Sequence, residues 1–273
     1  MIHSEFIRQL REWVRENSKI DSVLIKGLWH IDCIYKPSDA ERKFIYQIVV
    51  AQTLAQGACY YAGPRIQPDH LISLVGTSYS CEQQTPAPVD IALLDSVANS
   101  VRQSTYIELY LSGPSSNKAV ERARLIASEV NRLACTLPNS RRLKVCNVGV
   151  VSLLVRELIG EGFEVTATDM DTEIIGRTLF ESTTVDASTE TLRRVSESDI
   201  AVVTGMTLST ETLPQILEAA KLAGTHLIMF CETGAGCASF LIDQGVASVV
   251  SEPFPFYIYD GLTCIRVFRA PHL

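Results

Sequence analysis

The sequence predicts an α/β fold, with a Rossmann-like parallel sheet domain at 139–273 and a smaller α/β domain at 1–138. The first observation is that apolar segments of strand length alternate with segments of helical periodicity throughout the second half. The second is that the first of these strand segments, at 143–151, is almost continuously apolar, as parallel strands are when helices cover both faces of their sheet. The polar turn at 138–142 is the best linker candidate, so the domain boundary is predicted near Pro138.

The first half contains fewer regular signals. A helix is predicted at 4–16, because apolar residues recur there on one face at helical spacing. The segment 22–36 is strand-like, 43–57 is ambiguous between strand and helix, and the glycine- and proline-rich segment 58–90 is predicted to be mainly loop. A second helix is predicted at 89–103, followed by a strand at 105–111 and a long helix at 116–137. The apolar face of the second helix contains Ile91, Leu94, Val97, Ala98 and Val101.

The second half follows a more regular pattern. Strands are predicted at 143–151, 164–171, 198–207, 225–232 and 246–254, with helices at 152–162, 209–224 and 236–245. The segment 257–269 is predicted to close the sheet as a hairpin. Right-handed crossovers between such strands produce a Rossmann-like sheet, in which ligands bind beyond the carboxyl ends of the strands.

Composition and charge narrow the functional classes. The net charge of −7 disfavours nucleic acids and anionic membranes as partners, because phosphate binding requires a basic surface. No run of about 18 apolar residues and no signal-peptide core occurs, so a cytoplasmic protein without a membrane span is expected. The eight cysteines form no C-x-x-C pair and are interpreted as reduced thiols, and no tightly bound metal is expected. The expected partner is a small-molecule ligand, and homodimer formation is left open.

One turn in the second half has the outline of a nucleotide-binding unit. It runs from Asn147 to Ser152, and Gly149 within it would allow the backbone to approach a ligand at the start of the next helix. A pyrophosphate usually requires a turn with three glycines, so NAD and FAD are disfavoured. S-adenosylmethionine has no phosphate and makes a smaller demand on this turn.

An acidic residue follows the second predicted strand of this unit. Asp169 lies 20 residues after Gly149, where nucleotide-binding sheets place a carboxylate that accepts hydrogen bonds from the ribose hydroxyls. Asp171 is the second candidate for this role. The alternative interpretation is that both carboxylates cap a helix around 172–179.

Two later turns place small polar residues at the same predicted edge of the sheet. These residues either bind a polar ligand or cap the helices that follow them. They are Thr204, Gly205 and Thr207 after one strand, and Glu232 and Thr233 after the next.

Three segments resemble the family described as "putative heavy-metal chelation". The segment "SDIAVVTGMTLSTETLPQILEAAK" is similar to its strand, T-G-x-T-L turn and helix, and "GVASVVSEPF" is similar to its closing strand. "DIALLDSVANSV", which contains Asn99, resembles a helix of its N-terminal domain, whereas "FCETGAG" departs from its usual G-P-S turn. The resemblance implies a Rossmann-like C-terminal domain preceded by a small α/β domain. A looser resemblance, at 147–171, is to class I methyltransferase-like enzymes that use S-adenosylmethionine.

Three functions are compatible with these patterns. The first is an enzyme that binds S-adenosylmethionine and transfers its methyl or aminobutyrate group, or closes the aminobutyrate arm into a ring. Tyr60, Tyr61 and Tyr79 are the candidates for an aromatic face that stabilises the sulfonium, and Glu82, Asp90 and Glu232 are the candidate bases. The second is a protein that binds a metal or metal chelate without catalysis, near Cys231 and Cys237. The third is an NAD(P)-dependent oxidoreductase.

Overall fold

The protein forms three β-sheets flanked by helices. The computed structural model describes residues 2–35, 44–80, 85–101, 105–138 and 141–271. Within these residues the sheets have nine, three and two strands, and the nine-stranded sheet is mostly parallel. The predicted α/β fold class is therefore confirmed.

The small sheets lie in the first part of the chain. Helix α1 (Ile2–Ser18) precedes β1 (Ser22–Leu24), β2 (Gly27–Tyr35), β3 (Phe44–Gln52) and β4 (Gln56–Tyr61). Helix α2 (Pro68–Leu74), β5 (Ser78–Ser80) and α3 (Ala87–Ala98) follow. Strands β2, β3 and β4 form an antiparallel sheet, and β1 pairs with β5. The ambiguous segment at 43–57 thus contains β3, the turn that follows it and the first two residues of β4.

Helix α3 has no solvent-exposed face over most of its length, because residues 89–98 are all buried. One side packs against β3 and β4, and another side contacts the carboxyl edge of the large sheet near residues 235–237. The prediction of one apolar face for this helix was therefore incomplete, because the other faces of the helix are buried as well. A helix that lies between two layers requires small or apolar residues all round.

The large sheet contains the remaining strands. They are β6 (Tyr106–Leu111), β7 (Lys144–Val148), β8 (Glu164–Asp169), β9 (Thr178–Leu179), β10 (Thr183–Ala187), β11 (Ile200–Thr204), β12 (His226–Cys231), β13 (Ser248–Ser251) and β14 (Thr263–Arg269). Their order is β6-β14-β13-β12-β11-β7-β8-β10-β9. The strand order reverses between β7 and β11, so this is the switch point at which open α/β sheets bind ligands.

Helices cover both faces of the large sheet. They are α4 (Ser115–Ala134), α5 (Ser152–Gly160), α6 (Thr191–Ser196), α7 (Met206–Ser209), α8 (Leu213–Ala223) and α9 (Ala238–Asp243). Helices α4 and α5 pack with Val145 and Val202 on one face, whereas α1, α3, α6 and α8 pack with Cys146 and Val203 on the other. Neighbouring strand residues alternate between these two cores, as the pleat requires. Every described helix is too short or too polar to traverse a lipid bilayer.

Several predicted elements were wrong. The segment predicted to be mainly loop contains most of β4 together with α2 and β5, and residues 172–176 form a turn where a helix was considered. Strands β9 and β10 were not predicted. The closing segment contributes one strand, β14, which pairs antiparallel with β13 and β6 rather than with its own preceding residues. Each of these elements has seven or fewer residues, so its periodicity gives little signal.

The elements just before the predicted boundary near Pro138 contact the large sheet. Strand β6 pairs with β14 along its whole length, and α4 packs against α5 and β12. The division of the chain at 138 stays a prediction.

Candidate functional site

The Gly149 turn is closed by hydrogen bonds within the chain. The amide of Gly149 donates to the Thr168 carbonyl (2.9 Å), that of Val150 to Asp169 Oδ2 (2.7 Å), and that of Val151 to Asn147 Oδ1 (2.9 Å). Asn147 is fully buried, and its Nδ2 donates to the carbonyl of Gly149 (3.1 Å). The amides that would hold a phosphate are therefore already bonded, which does not suit the pyrophosphate of NAD(P).

Asp169 lies at the carboxyl edge of the sheet, as predicted, and binds the turn beside it. Its second oxygen, Oδ1, accepts from the amide of Asp171 (2.8 Å), while Asp171 Oδ1 accepts from the amide of Glu173 (2.9 Å). Neither carboxylate caps a helix, since none begins there. Each carboxylate oxygen can accept more than one hydrogen bond, so Asp169 keeps acceptor capacity toward a ribose, and that role stays a prediction.

The small polar residues at the next edge positions have identifiable packing roles. Thr204 lies against Gly149, and Thr207 Oγ1 donates to the Thr204 carbonyl (2.8 Å). Gly205 permits a close approach, because a Cβ there would lie 2.5 Å from the Thr233 carbonyl oxygen. Ser152 is the first residue of α5. These contacts explain why small residues occur here without a ligand.

The predicted tyrosines and acids of the first half do not form one group. Tyr79 donates from its hydroxyl to Asp90 Oδ1 (3.0 Å), and Arg11 binds Asp90 Oδ2 (2.5 Å). This buried trio joins α1 to α3. Tyr61 hydrogen-bonds with His30 and Gln47 and lines a surface groove of about 440 Å³. Glu82 lies outside the described residues.

Among the predicted site residues, Glu232 lies next to a second carboxylate and a guanidinium group. It follows β12, and Glu252 follows the neighbouring strand β13, so the two carboxylates lie side by side at the sheet edge. Arg122, from α4, donates from the same nitrogen, Nη1, to Glu232 Oε1 (2.9 Å) and Glu252 Oε2 (3.1 Å). Its guanidinium carbon lies 3.7 Å from the centre of the Tyr257 ring. With Tyr60, these four residues form what we call the Glu232 cluster.

Tyr60 is brought to the cluster by bonds between the small sheet and the large one. Its amide donates to Thr233 Oγ1 (2.9 Å), so the predicted residue Thr233 anchors β4. Asp95 of α3 accepts from the amides of Ala58 (2.7 Å) and Gly236 (2.6 Å), which ties both sheets to the same helix. The ring of Tyr60 packs against Phe256, with ring centres 5.1 Å apart.

The two carboxylates of the cluster differ in solvent access. Glu252 is fully buried and also accepts from the Tyr257 amide, whereas the Glu232 side chain is 19% exposed. Glu232 Oε2 makes no hydrogen bond with the described residues. Burial, followed by the Glu252 carboxylate, raises the pKa of Glu232 to about 8, although Arg122 acts in the opposite direction. A carboxyl group with a pKa near neutrality and one free oxygen is suited to proton transfer.

Sequence reasoning missed Arg122, Glu252 and Tyr257. A signal for Arg122 was present: Lys118, Arg122 and Glu129 are in phase with Ile126 and Leu133 on the buried stripe of α4. Charged residues on a buried stripe require partners elsewhere in the fold. The partners of Arg122 directly follow β12 and β13, 110 and 130 residues further along the chain, and could not be paired with it in advance.

With this geometry established, comparisons with known proteins show which family part of this chain resembles. Residues 131–251 match the DUF364 family, which is described as "Putative heavy-metal chelation". The resemblance recognised in the sequence is thereby confirmed. No curated protein matches the chain.

Solved structures support the DUF364 fold over nearly the whole chain. A DUF364 protein of unknown function from Desulfitobacterium hafniense DCB-2 is 13% identical, with a TM-score of 0.57 over 95% of this chain and 98% of that one. A DUF364 protein from Pyrococcus horikoshii is also 13% identical, with a TM-score of 0.53 over 98% and 100%. Magnesium protoporphyrin IX methyltransferase from Synechocystis PCC 6803, with bound SAM, reaches a TM-score of only 0.35 over 55% of this chain and 80% of its own, too low to carry an argument.

The family description raises the question of a bound metal. No group of three or more His, Cys, Asp or Glu side chains within the described ranges is placed to hold a metal ion. Cys231 and Cys237 are both buried, and burial first, then Asp95, raises the pKa of each thiol. Glu232 and Glu252 already share a guanidinium. The described residues therefore do not fit a dedicated metal centre.

Proposed function

We propose that this protein is a small-molecule enzyme that binds S-adenosylmethionine across the carboxyl edge of its large sheet, with a cationic group of the ligand at the Glu232 cluster. The observation that carries the proposal is Glu232 itself: its side chain is 19% exposed, its Oε2 makes no hydrogen bond with the described residues, and the next residue, Thr233, binds the Tyr60 amide. Above the pKa of Glu232, when its carboxyl group is ionised, Arg122 balances one negative charge of the pair and leaves one for a cation. Aromatic faces and a carboxylate together recognise organic cations.

Of the two candidate bases that the structure describes, Asp90 and Glu232, we favour Glu232. Asp90 is bound to Arg11 and Tyr79 within the buried trio, so it has no position from which to reach a ligand at the sheet edge. Glu232 has a free oxygen at that edge and is oriented by Arg122. Glu232 is therefore our choice for the group that accepts a proton, and Tyr60 is our choice among the tyrosines for the aromatic face.

Binding calorimetry with S-adenosylmethionine tests this proposal. We expect the wild type to bind it and Glu232→Gln to bind it about 10-fold or more weakly, because a hydrogen bond to a charged group contributes about 1.5–3 kcal/mol. Glu218→Gln is the matched control, since Glu218 is an exposed carboxylate on α8. A wild type that does not bind at millimolar ligand, or a Glu232→Gln variant that binds like the control, would contradict the proposal.

A metal chelate is the second candidate ligand, and the family description favours it. A chelate brings its own ligand atoms, so it does not require a three-residue metal centre in the protein. Metal analysis of the purified protein, and calorimetry with free and chelated divalent metals, separate this candidate from the first. Binding of the chelate without binding of S-adenosylmethionine would favour the non-catalytic reading.

A further inference from the structure

The Glu232 cluster contains, besides its free carboxylate oxygen, a hydroxyl that has no hydrogen-bond partner among the described residues. Tyr60 is only 5% exposed, yet its hydroxyl makes no hydrogen bond within the part of the chain that the structure describes. Burial raises the pKa of the Tyr60 phenol, and the next causes are the charges of Glu232 and Glu252. The residue is fixed beside Glu232 in the sequence of contacts, because its ring packs against Phe256 and its amide donates to Thr233 Oγ1. Its hydroxyl is not fully enclosed by the protein, so it can donate a hydrogen bond to a ligand.

A second tyrosine, Tyr259, packs against the same group of buried residues, which contains Tyr60 and Phe256. Tyr259 lies on the loop after β13, and its pKa is raised by burial, then by Cys33 and Glu232. Its backbone carbonyl accepts a hydrogen bond from the buried ammonium of Lys118 (2.6 Å), which holds this part of the loop in place. Two phenol donors and one carboxylate acceptor thus belong to one region of the structure. This is the complement of an α-amino acid, in which a carboxylate and an ammonium share one carbon.

The distance along the sheet edge decides which cation of the ligand reaches Glu232. Strand β12, which precedes Glu232, is three strands away from β8, which ends at Asp169. At the usual spacing between strands this is roughly 14 Å. The sulfonium of S-adenosylmethionine is one carbon away from the ribose, whereas the α-ammonium lies at the far end of the aminobutyrate arm. A ligand with its ribose near Asp169 therefore brings the α-ammonium, rather than the sulfonium, to Glu232.

We propose that Glu232 is the catalytic base that deprotonates the α-amino group of S-adenosylmethionine, and that this nitrogen closes the aminobutyrate arm into an azetidine-ring amino acid. This inference rests on the proposed function of the same site. Tyr60 and Tyr259 hold the ligand's carboxylate, and Arg122 orients the base.

The step balances without a second substrate. An N–H bond of the ammonium breaks and its proton moves to Glu232 Oε2. The nitrogen lone pair then forms a bond to the γ-carbon, and the bond from that carbon to sulfur breaks. Its electron pair goes to the sulfur, which leaves as the neutral thioether of methylthioadenosine. The sulfonium is an activated leaving group, so no oxidant, reductant or metal is needed, and the protein mainly holds the reacting atoms together.

Mass spectrometry after incubation with S-adenosylmethionine and no acceptor tests the proposal. We expect equal amounts of methylthioadenosine and the azetidine-ring amino acid, above a protein-free control. Glu232→Gln should lose at least 100-fold in rate, Tyr60→Phe should bind the ligand more weakly, and Glu218→Gln should match the wild type. The wild-type rate should rise with pH up to the pKa of Glu232, and an analogue with a keto group in place of the α-amine should not react.

The outcomes separate the two proposals. Ligand binding without methylthioadenosine release overturns ring closure and leaves S-adenosylmethionine binding standing. Methylthioadenosine accompanied by homoserine or its lactone, instead of the cyclic amino acid, overturns the α-amine as the nucleophile. Absence of ligand binding to the wild type overturns both. A Glu232→Gln variant that retains the wild-type rate and pH profile overturns the role of the base.

Discussion

Gly149 and Thr204 face each other across the switch point of the large sheet, so closely that a Cβ at position 149 would lie 2.4 Å from Thr204 Oγ1. Gly149 also has a φ of +75°, which L side chains rarely adopt. The glycine that suggested a nucleotide-binding turn is therefore required by the packing of the protein itself. A ligand at this edge would contact a turn that is already rigid.

We expect Gly149→Ala to lower the free energy of unfolding by about 3 kcal/mol, since left-handed strain and overpacking each cost about 1–2 kcal/mol. Gly162→Ala is the control, because Gly162 has a φ of +90° and no atom within 4 Å of the added Cβ, so only strain applies. Combining Gly149→Ala with Thr204→Ala should recover the overpacking part. Urea unfolding measures the free energy of unfolding of the two single glycine variants and of the double variant. Equal losses of stability in Gly149→Ala and Gly162→Ala would contradict the steric argument.

Asp95 should make stability depend on pH. Burial raises its pKa from 3.8 to about 7, against the two amides that it accepts from. Between these values the folded state holds a proton that the unfolded state has released, so stability falls as pH rises from about 4 to about 7. The loss is on the order of 4 kcal/mol at most. Urea unfolding across this range should show a smaller decline in Asp95→Asn than in the wild type, and parallel curves would contradict this assignment.

Asp169→Ala should lower both stability and affinity for S-adenosylmethionine. The stability loss follows from the two backbone amides that its carboxylate binds, and we expect about 2–3 kcal/mol by urea unfolding. The affinity loss follows from the predicted ribose contact. Asp171→Ala is the comparison, and calorimetry is run where both variants are folded. Unchanged affinity in Asp169→Ala would count against the ribose contact while leaving the structural role intact.

Lys118→Met should destabilise the loop at 253–261, which contains Tyr259. Lys118 is fully buried, and its ammonium donates to the carbonyls of Tyr259 (2.6 Å) and Gly261 (3.0 Å) and to Thr263 Oγ1 (3.2 Å). Without these bonds we expect a loss of about 2–4 kcal/mol and faster proteolysis within 253–261. Lys144→Met is the control, since that lysine is largely exposed and has one ion pair at 3.9 Å. Equal losses in the two variants would exclude a special role for Lys118.

The sequence predicted the architecture of the second half well because β11 and β12 are almost continuously apolar and β7 and β13 are also buried along most of their length. Such strands can be recognised from their own residues, without knowing which strands lie beside them. Strands β9 and β10 were missed because they contain two and five residues, with polar or half-buried positions among them. Their pairing beside β8 depends on contacts that local periodicity does not report.

The candidate site was predicted only in part. Glu232 was recognised because it follows an apolar strand, where parallel sheets place ligand-binding groups. Its reactivity, however, depends on Arg122 and Glu252, which come from a distant helix and a neighbouring strand. Asp169 occurs at the expected spacing, yet its contacts with Val150 and Asp171 depend on the turn conformation, which a spacing rule cannot specify.

The origin of Arg122 has a consequence for fragments of this protein. The guanidinium between Glu232 and Glu252 belongs to α4, and the strand that completes the sheet beside β14 is β6, so both come from before residue 138. A recombinant fragment covering 139–273 alone would keep Glu232 and Glu252 but lose Arg122, the cation that they share. It would also leave β14 as an unpaired edge strand of the sheet. Such a fragment should be insoluble or associate with a second copy, and adding 105–138 should restore both the counter-ion and the edge strand.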